Sequence, residues 1–440
     1  MRDAVSSLTA TALIQASNIV SGVLLARFLQ PDGRGELAAV MLWPSVIAAV
    51  GIFGLHEAIA YHAARRRHGS GRILAGGLLL GGLLSLLLLP IGALVVDILF
   101  DGKPAEVREA GFLYLAFIPL NFLGLFLVAM FQGGLRFAEW NLLRTSVHVF
   151  YLLLIPAMYL AGFGGVLGFA VASLLANAAM ILLALLLYRR VGWAAEEDAT
   201  APSTLRALAR YGASVHLGAA VAIVAERLDQ MIIAIFLSAA DLGLFVIATT
   251  VARLPLVLAS TLATVAFPKI AGAADAAARA AIFGRYSRAA SLTILPMALA
   301  LAAVTPWLLP FFFGAAFADA VPVAWMLTAA AVPLSLKAML SAGLKACDKG
   351  WIVGQAEIAT LALSAAFLAA LVPSYGLMGA AAAGLLAQGG ALAFMLFRVR
   401  HSVGIGPRDL LLPGRADLAV IGDMLATLKG RVAGRTGGAG

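Results

Sequence analysis

The sequence predicts an all-α integral membrane protein with twelve transmembrane helices in two six-helix bundles related by a parallel internal repeat. Three observations carry this. The 440 residues are 62% hydrophobic and 12% charged, against roughly half and a quarter in soluble domains. Apolar runs of about 20 residues, the length that crosses a bilayer core, recur along the whole chain without the polar-apolar alternation of barrel strands. The second half also matches the first in three places after a shift of about 210 residues.

Span one runs from about Val5 to Leu29 and closes at Gln30-Pro31-Asp32-Gly33-Arg34-Gly35, a turn rich in Pro and Gly. Polar residues interrupt what would be the apolar core of a signal peptide, so the stretch reads as a retained span. Ser7, Thr11, Gln15, Asn18 and Gly22 recur at steps of three and four and form one stripe, expected to face a cavity. Span two, about Leu37 to Tyr61, contains Pro44 and ends at the basic cluster Arg65-Arg66-Arg67-His68. Spans three to six follow at about Ile73–Phe100, Gly111–Gln132, Leu143–Ala161 and Gly165–Tyr188.

Residues 1–190 are thus expected to form an N-terminal lobe, with 191–210 as a cytoplasmic linker in which Ser203 caps a short amphipathic helix over 204–210. The C-terminal lobe is expected over 211–400, with spans at about Tyr211–Leu237, Leu242–Ala266, Ser291–Phe313, Val321–Leu344, Trp351–Val372 and Gly379–Phe397. Residues 401–440 form a basic, Gly-rich tail, read as partly disordered. Roughly 24 of the Lys and Arg residues fall on the side of the termini, about four on the other and three within spans, which places both termini in the cytoplasm.

The repeat sets Ala26, Phe28, Leu29 and Gly35 on Ala234, Phe236, Leu237 and Gly243. It also sets Arg136 on Lys345, Gly165 on Gly376, Asn177 on Gln388 and Arg189 on Arg400. Six spans per copy is even, so the copies are parallel and related by an axis along the membrane normal; transporters of that plan bind substrate between the halves. Asn18 then maps onto Glu226 and Ser21 onto Asp229, with helices one and seven facing one central cavity.

The charges inside spans are the candidate site. Glu226, Arg227, Asp229 and Gln230 interrupt span seven, and a charge at mid-bilayer costs about 2.5 to 3.5 kcal/mol, so the helix must turn them toward protein or water. Two roles are open to Arg227: a ligand for phosphate oxygens, which the guanidinium fork matches, or an ion pair of Arg227 or Arg253 with Glu226 or Asp229 that fixes span seven on span eight. Arg253 shares a polar stripe with Thr249, Ser260 and Thr264. Arg27, at the outer end of span one, either guards the outward mouth or snorkels to headgroups. Lys337 reads as snorkelling, and Glu57, Asp97 and Glu357, near span ends, read as solvated.

Several classes are excluded or disfavoured. The net charge of +9 lies in short inter-span loops and belongs to topology and anionic lipids, without the basic, aromatic-interleaved face of a nucleic-acid binder. Cys347 stands alone, so no intramolecular disulfide or Cys-rich metal site forms. His56, His62 and His148 lack ligand spacing on one helical face inside a span, so neither a metal site nor a proton site is expected of them. Gly162 to Gly168 follows no strand and reads as a plain turn, and no Walker loop or other cofactor motif is present. Outer loops are too short for the extramembrane machinery of a glycan-assembling enzyme.

Leu24-Leu25-Ala26-Arg27-Phe28-Leu29 with Pro31, Gly33 and Gly35, together with Asp229-Gln230-Met231-Ile232-Ile233 and the following Phe236-Leu237-Ser238 and Leu242-Gly243-Leu244-Phe245, resembles the polysaccharide-transporter branch of the multidrug/oligosaccharidyl-lipid/polysaccharide (MOP) exporter superfamily. That branch includes the Wzx-like flippases for polyprenyl-diphosphate-linked oligosaccharides such as O-antigen units. The resemblance implies a MATE-like V-shaped transporter in the bacterial cytoplasmic membrane. Its implied partners are a lipid-linked oligosaccharide, membrane lipids, a coupling H+ or Na+ and polysaccharide assembly proteins. A multidrug cation antiporter of the same superfamily is the alternative, although such a cavity should be net acidic, whereas Arg227 and Arg253 balance Glu226 and Asp229.

Overall fold

In hydrocarbon a backbone satisfies its own hydrogen bonds only as helix or closed barrel, and every regular element among the described residues is helical. The computed structural model describes residues 2–65, 69–191, 193 and 204–412. Its helices are α1 Arg2–Gly51, α2 Leu55–Arg65, α3 Ser70–Leu99, α4 Ala105–Tyr114, α5 Phe117–Gly133, α6 Phe137–Leu160 and α7 Val166–Arg190. They continue with α8 Thr204–Phe236, α9 Ala239–Ala252, α10 Leu254–Ala271, α11 Ala276–Phe313, a 3-10 turn Ala315–Ala320, α12 Val321–Ala346, α13 Gly350–Val403 and α14 Pro407–Leu411. Among the described residues, nine helical stretches are long and apolar enough to cross a membrane. The chain is an all-helical membrane protein.

Two of those nine, α1 and α13, are each a pair of helices joined across a one-residue break that follows from local chemistry. At Gln30 the backbone leaves the helix, with φ 57° and ψ −179°, and resumes at Pro31. The residue before a proline is pushed out of the α region, while proline suits the first turn of a new helix because it has no N–H to leave unpaired. The Gln30 amide nitrogen donates to the carbonyl of Arg27 at 3.0 Å, satisfying a group that the break frees. The expected six-residue turn is therefore a one-residue break, and Asp32 to Gly35 are already helical. In α13 the break lies at Gly376, φ 53° and ψ −131°, a conformation that glycine enters without a Cβ penalty.

Other spans are cut differently from expectation. Span two is interrupted at residues 52–54 and continues as α2; span four divides into α4 and α5; span eight divides at Arg253, two residues before Pro255, whose ring cannot donate to the preceding turn. The helix over 204–210 is no separate element but the start of α8. Of the turn expected over Gly162 to Gly168, residues up to Gly165 form the link between α6 and α7, and Val166 to Gly168 are already helical. Arg66 to His68, Ser203 with most of the linker, and the tail from Pro413 lie outside the described residues.

The chain divides into two compact units, Met1–Thr250 with Trp307–Val323, and Val251–Pro306 with Ala324–Gly440. The first has a core rich in aromatics, with Phe122, Phe126, Phe131 and Phe169 nearly inaccessible. Within it α8 packs on α1, α2 and α3, and α6 lies along α1. Gly35 and Gly243, matched by the repeat, sit at a close backbone crossing: a Cβ on Gly35 would strike the carbonyl of Ala239, and one on Gly243 the carbonyl of Pro31. The second unit is built around Phe283, Ile294, Met339, Leu340, Ile352 and Met395.

In that second unit Lys337 is 4% exposed. Its Nζ donates to Glu357 Oε2 at 3.1 Å and to Thr360 Oγ1 at 3.0 Å. Both expectations for this pair are overturned. Lys337 does not snorkel and Glu357 is not merely solvated, because α12 and α13 bring the two side chains together. Asp97 pairs with Arg108, and both side chains are about half exposed.

Candidate functional site

The charged stretch of α8 is wholly helical, so residues three and four apart share a face. Glu226 and Arg227 are exposed, Asp229 is half-buried and Gln230 is buried. Arg227 donates from Nη1 to Gln230 Oε1 at 3.3 Å, one turn along. Asp229 accepts the backbone N–H of Gln230 at 2.7 Å. The helix therefore holds the Arg227 guanidinium out on an exposed side while a neutral amide steadies it, a geometry able to receive an anion.

The polar stripe of α1 is largely accessible. Thr11, Gln15 and Asn18 are exposed, and open space lies beside Gly22. Asn18 Oδ1 and His148 Nδ1 are 2.8 Å apart. Further along, Asn141 donates to the hydroxyls of Ser6 and Ser7 at 3.2 and 3.1 Å. The stripe thus meets a second one on α6, where Asn141, Thr145 and His148 stand at four- and three-residue steps. That spacing was visible in the sequence; His148 was weighed only as part of a metal or proton site, and Asn141 not at all.

Arg27 has a definite partner. Its Nε donates to the carbonyl of Phe312 at 2.8 Å, and Nη2 to that of Phe311, so it caps the last turn of α11. Such carbonyls have no partner within their helix, and a cation there also opposes the helix dipole. Neither expected role included this contact, which joins residues 285 positions apart in the chain. Arg253, in the second unit, is half-buried at the break between α9 and α10, and its carbonyl accepts the N–H of Leu256 at 3.1 Å. Ser260 and Thr264 on α10 spend their hydroxyls on their own helix, on the carbonyls of Val257 and Ser260.

One group was missed altogether. Arg34, assigned from sequence to an outer turn, is partly buried on the second half of α1, with its Nε enclosed and no hydrogen-bond partner. The Tyr151 hydroxyl on α6 is enclosed in the same way.

The fold is that of known exporters. It aligns with the inward-facing conformation of a multidrug resistance MATE family transporter of the MOP superfamily at TM-score 0.71 and 18% identity, covering 90% of this chain and 98% of that one. The lipid II flippase MurJ in an inward closed conformation gives TM-score 0.74 at 15% identity, covering 96% and 92%. A MOP superfamily transporter from Pyrococcus furiosus, described as having a binding pocket of reverse polarity, gives 0.63 at 18%, covering 91% and 94%. No curated protein matches the sequence. A family model described as polysaccharide biosynthesis protein matches residues 24–322, about two thirds of the chain. The chain therefore belongs to the polysaccharide biosynthesis protein family and has the MOP/MATE superfamily fold.

Proposed function

We propose that this protein is a flippase that moves a polyprenyl-diphosphate-linked oligosaccharide, such as an O-antigen or exopolysaccharide unit, across the bacterial cytoplasmic membrane by alternating access. The observation that carries this reading is the joint one of a polysaccharide biosynthesis family on an exporter fold shared with a lipid II flippase. Twelve crossings fit it. Nine apolar stretches, the extra helices made by the breaks in α1 and α13, and the charged α8 supply them. The parallel repeat is supported by the crossing of Gly35 with Gly243, and by Gly165 and Gly376, which start the sixth and twelfth spans from matching positions.

In this reading the lobes are 1–190 and 211–400, both termini are cytoplasmic, and no step of covalent chemistry is performed. Arg227 and Arg253 are each a ligand offered to the diphosphate, while the lipid tail stays in the bilayer. Glu226, Asp229, Gln230, Gln15 and Asn18 line the path of the headgroup, and Arg27 closes the outer end by capping α11. An inside-negative potential favours outward movement of an anion by about 2.3 kcal/mol per charge per 100 mV, and H+ or Na+ coupling adds to that bias. Membrane lipids and polysaccharide assembly proteins are its partners.

The test is flipping of a lipid-linked oligosaccharide in proteoliposomes with Arg227→Ala, Arg253→Ala and the double variant. Each single variant should fall about tenfold or more, as expected on losing a charge-assisted phosphate contact; wild-type rates in the double variant would sink the assignment. The cation antiporter is kept as a second reading by the likeness to the multidrug transporter. Drug efflux by cells whose surface polysaccharide is normal without the protein would favour it.

A further inference from the structure

Arg34 differs from the other cations within the helices. Its Nε is enclosed without a hydrogen-bond acceptor, and among the described residues it makes no ion pair. Asp32 and Glu36 stand two positions away on a helix and so point to the other side of it. Glu36 has Asp32, Glu106 and Lys103 as its charged neighbours, not Arg34. The group that faces Arg34 is Tyr151 of α6, and its hydroxyl also lacks a partner.

Other polar groups on the same two helices are matched in part, Asn18 to His148 and the Asn141 amide nitrogen to Ser6 and Ser7, while Asn141 Oδ1 and Thr145 Oγ1 are enclosed without a partner. Arg34 Nε is a donor without an acceptor, and the Tyr151 hydroxyl, which can donate or accept, bonds neither to it nor to any other group. A guanidinium set inside a membrane helix is costly unless something offsets it, and an enclosed donor left unpaired adds about 1–3 kcal/mol. A ligand that accepts from Arg34 Nε and from the Tyr151 O–H together is an oxyanion with several lone pairs, and the planar fork of arginine matches phosphate oxygens.

We propose that Arg34 and Tyr151 form a phosphate-binding site between the second half of α1 and α6, separate from the charges of α8. The phosphate comes from the diphosphate of the lipid-linked glycan or from the headgroup of an ordinary membrane phospholipid. The first source rests on the flippase reading; the second does not.

The experiment is lipid titration of the purified full-length protein by native mass spectrometry, using polyprenyl diphosphate, phosphatidylglycerol and, as the uncharged control, polyprenol. Variants are Arg34→Met, Arg34→Lys and Tyr151→Phe. For wild type, polyprenyl diphosphate should bind at least ~10-fold more tightly than polyprenol, and Arg34→Met should erase that preference. Tyr151→Phe, which removes one neutral donor, should weaken it by ~5-fold, and Arg34→Lys should fall between. Equal Arg34 dependence for phosphatidylglycerol, with no preference for the polyprenyl lipid, keeps the site and assigns it to phospholipid, and the flippase reading then loses this support. Unchanged phosphate-lipid binding in monodisperse Arg34→Met and Tyr151→Phe overturns the site. So does loss of folding in Arg34→Met alongside unaltered binding in Tyr151→Phe, because Arg34 would then be structural.

Discussion

Arg34 and Lys337 are both cations set among helices, one in each compact unit, Lys337 buried and Arg34 partly buried with its Nε enclosed, and they are treated in opposite ways. Lys337 has a carboxylate at 3.1 Å and a hydroxyl at 3.0 Å. Arg34 has a phenol for a neighbour and no acid. A buried ion pair with its remaining protons satisfied is self-contained and asks nothing of a ligand. A partly desolvated guanidinium without an acid is a cost to the fold that an arriving anion can offset. The difference separates a charge that fastens two helices from a charge held for something else.

The largest effect that would break this contrast concerns Glu357. Glu357→Ala leaves Lys337 enclosed without its countercharge. It should lower stability by about 3 kcal/mol, the low end for breaking a buried pair, because the Glu357 side chain is 35% exposed. Thermal unfolding in detergent reads this, and Lys337→Met with Glu357→Leu together should recover most of the loss. If Glu357→Ala unfolds at the wild-type temperature, the pair is not a fastener and the contrast with Arg34 fails. A smaller effect is expected from Thr360→Val, which removes only the second acceptor of Lys337 and should cost about 1 kcal/mol. In the double variant Thr360→Val and Glu357→Ala the two losses should not add, since both act on one ammonium.

The same two residues show what could be seen before the structure. Periodicity and apolar length gave the helical class, the resemblance pointed to the superfamily, and Pro31 marked a real interruption; of the span prolines Pro44, Pro255, Pro296 and Pro333, read as candidate hinges, only Pro255 stands at a break. The charges of α8 were conspicuous because they interrupt an apolar run. Lys337 was misjudged because its partner lies 20 residues on, across a helix turn-around that only packing brings close. Arg34 was misjudged for a local reason. Six residues of Pro, Gly and charge look like a loop, but here the break is confined to Gln30, and Arg34 is carried back into the helix beside α6. Arg27 was unreadable in another way, since the carbonyls it caps belong to α11. The missed feature with a sequence signal is the α6 stripe of Asn141, Thr145 and His148, whose spacing is as regular as that of α1.

The smallest stability effect sharpens the contrast most. Arg34→Met removes a charge that no acid balances, so the fold loses neither an ion pair nor a hydrogen bond and sheds the desolvation of a guanidinium. Stability should be unchanged or rise by up to about 1 kcal/mol, the part of the desolvation cost recovered when methionine fills most of the same volume. Thermal unfolding measured beside Glu357→Ala gives the comparison directly, one variant level or upward and the other well down. A fall of similar size in both would mean that Arg34 is held by interactions as strong as those of Lys337. A level Arg34→Met that has lost transport or lipid binding would instead locate its value outside the fold, in what the guanidinium receives.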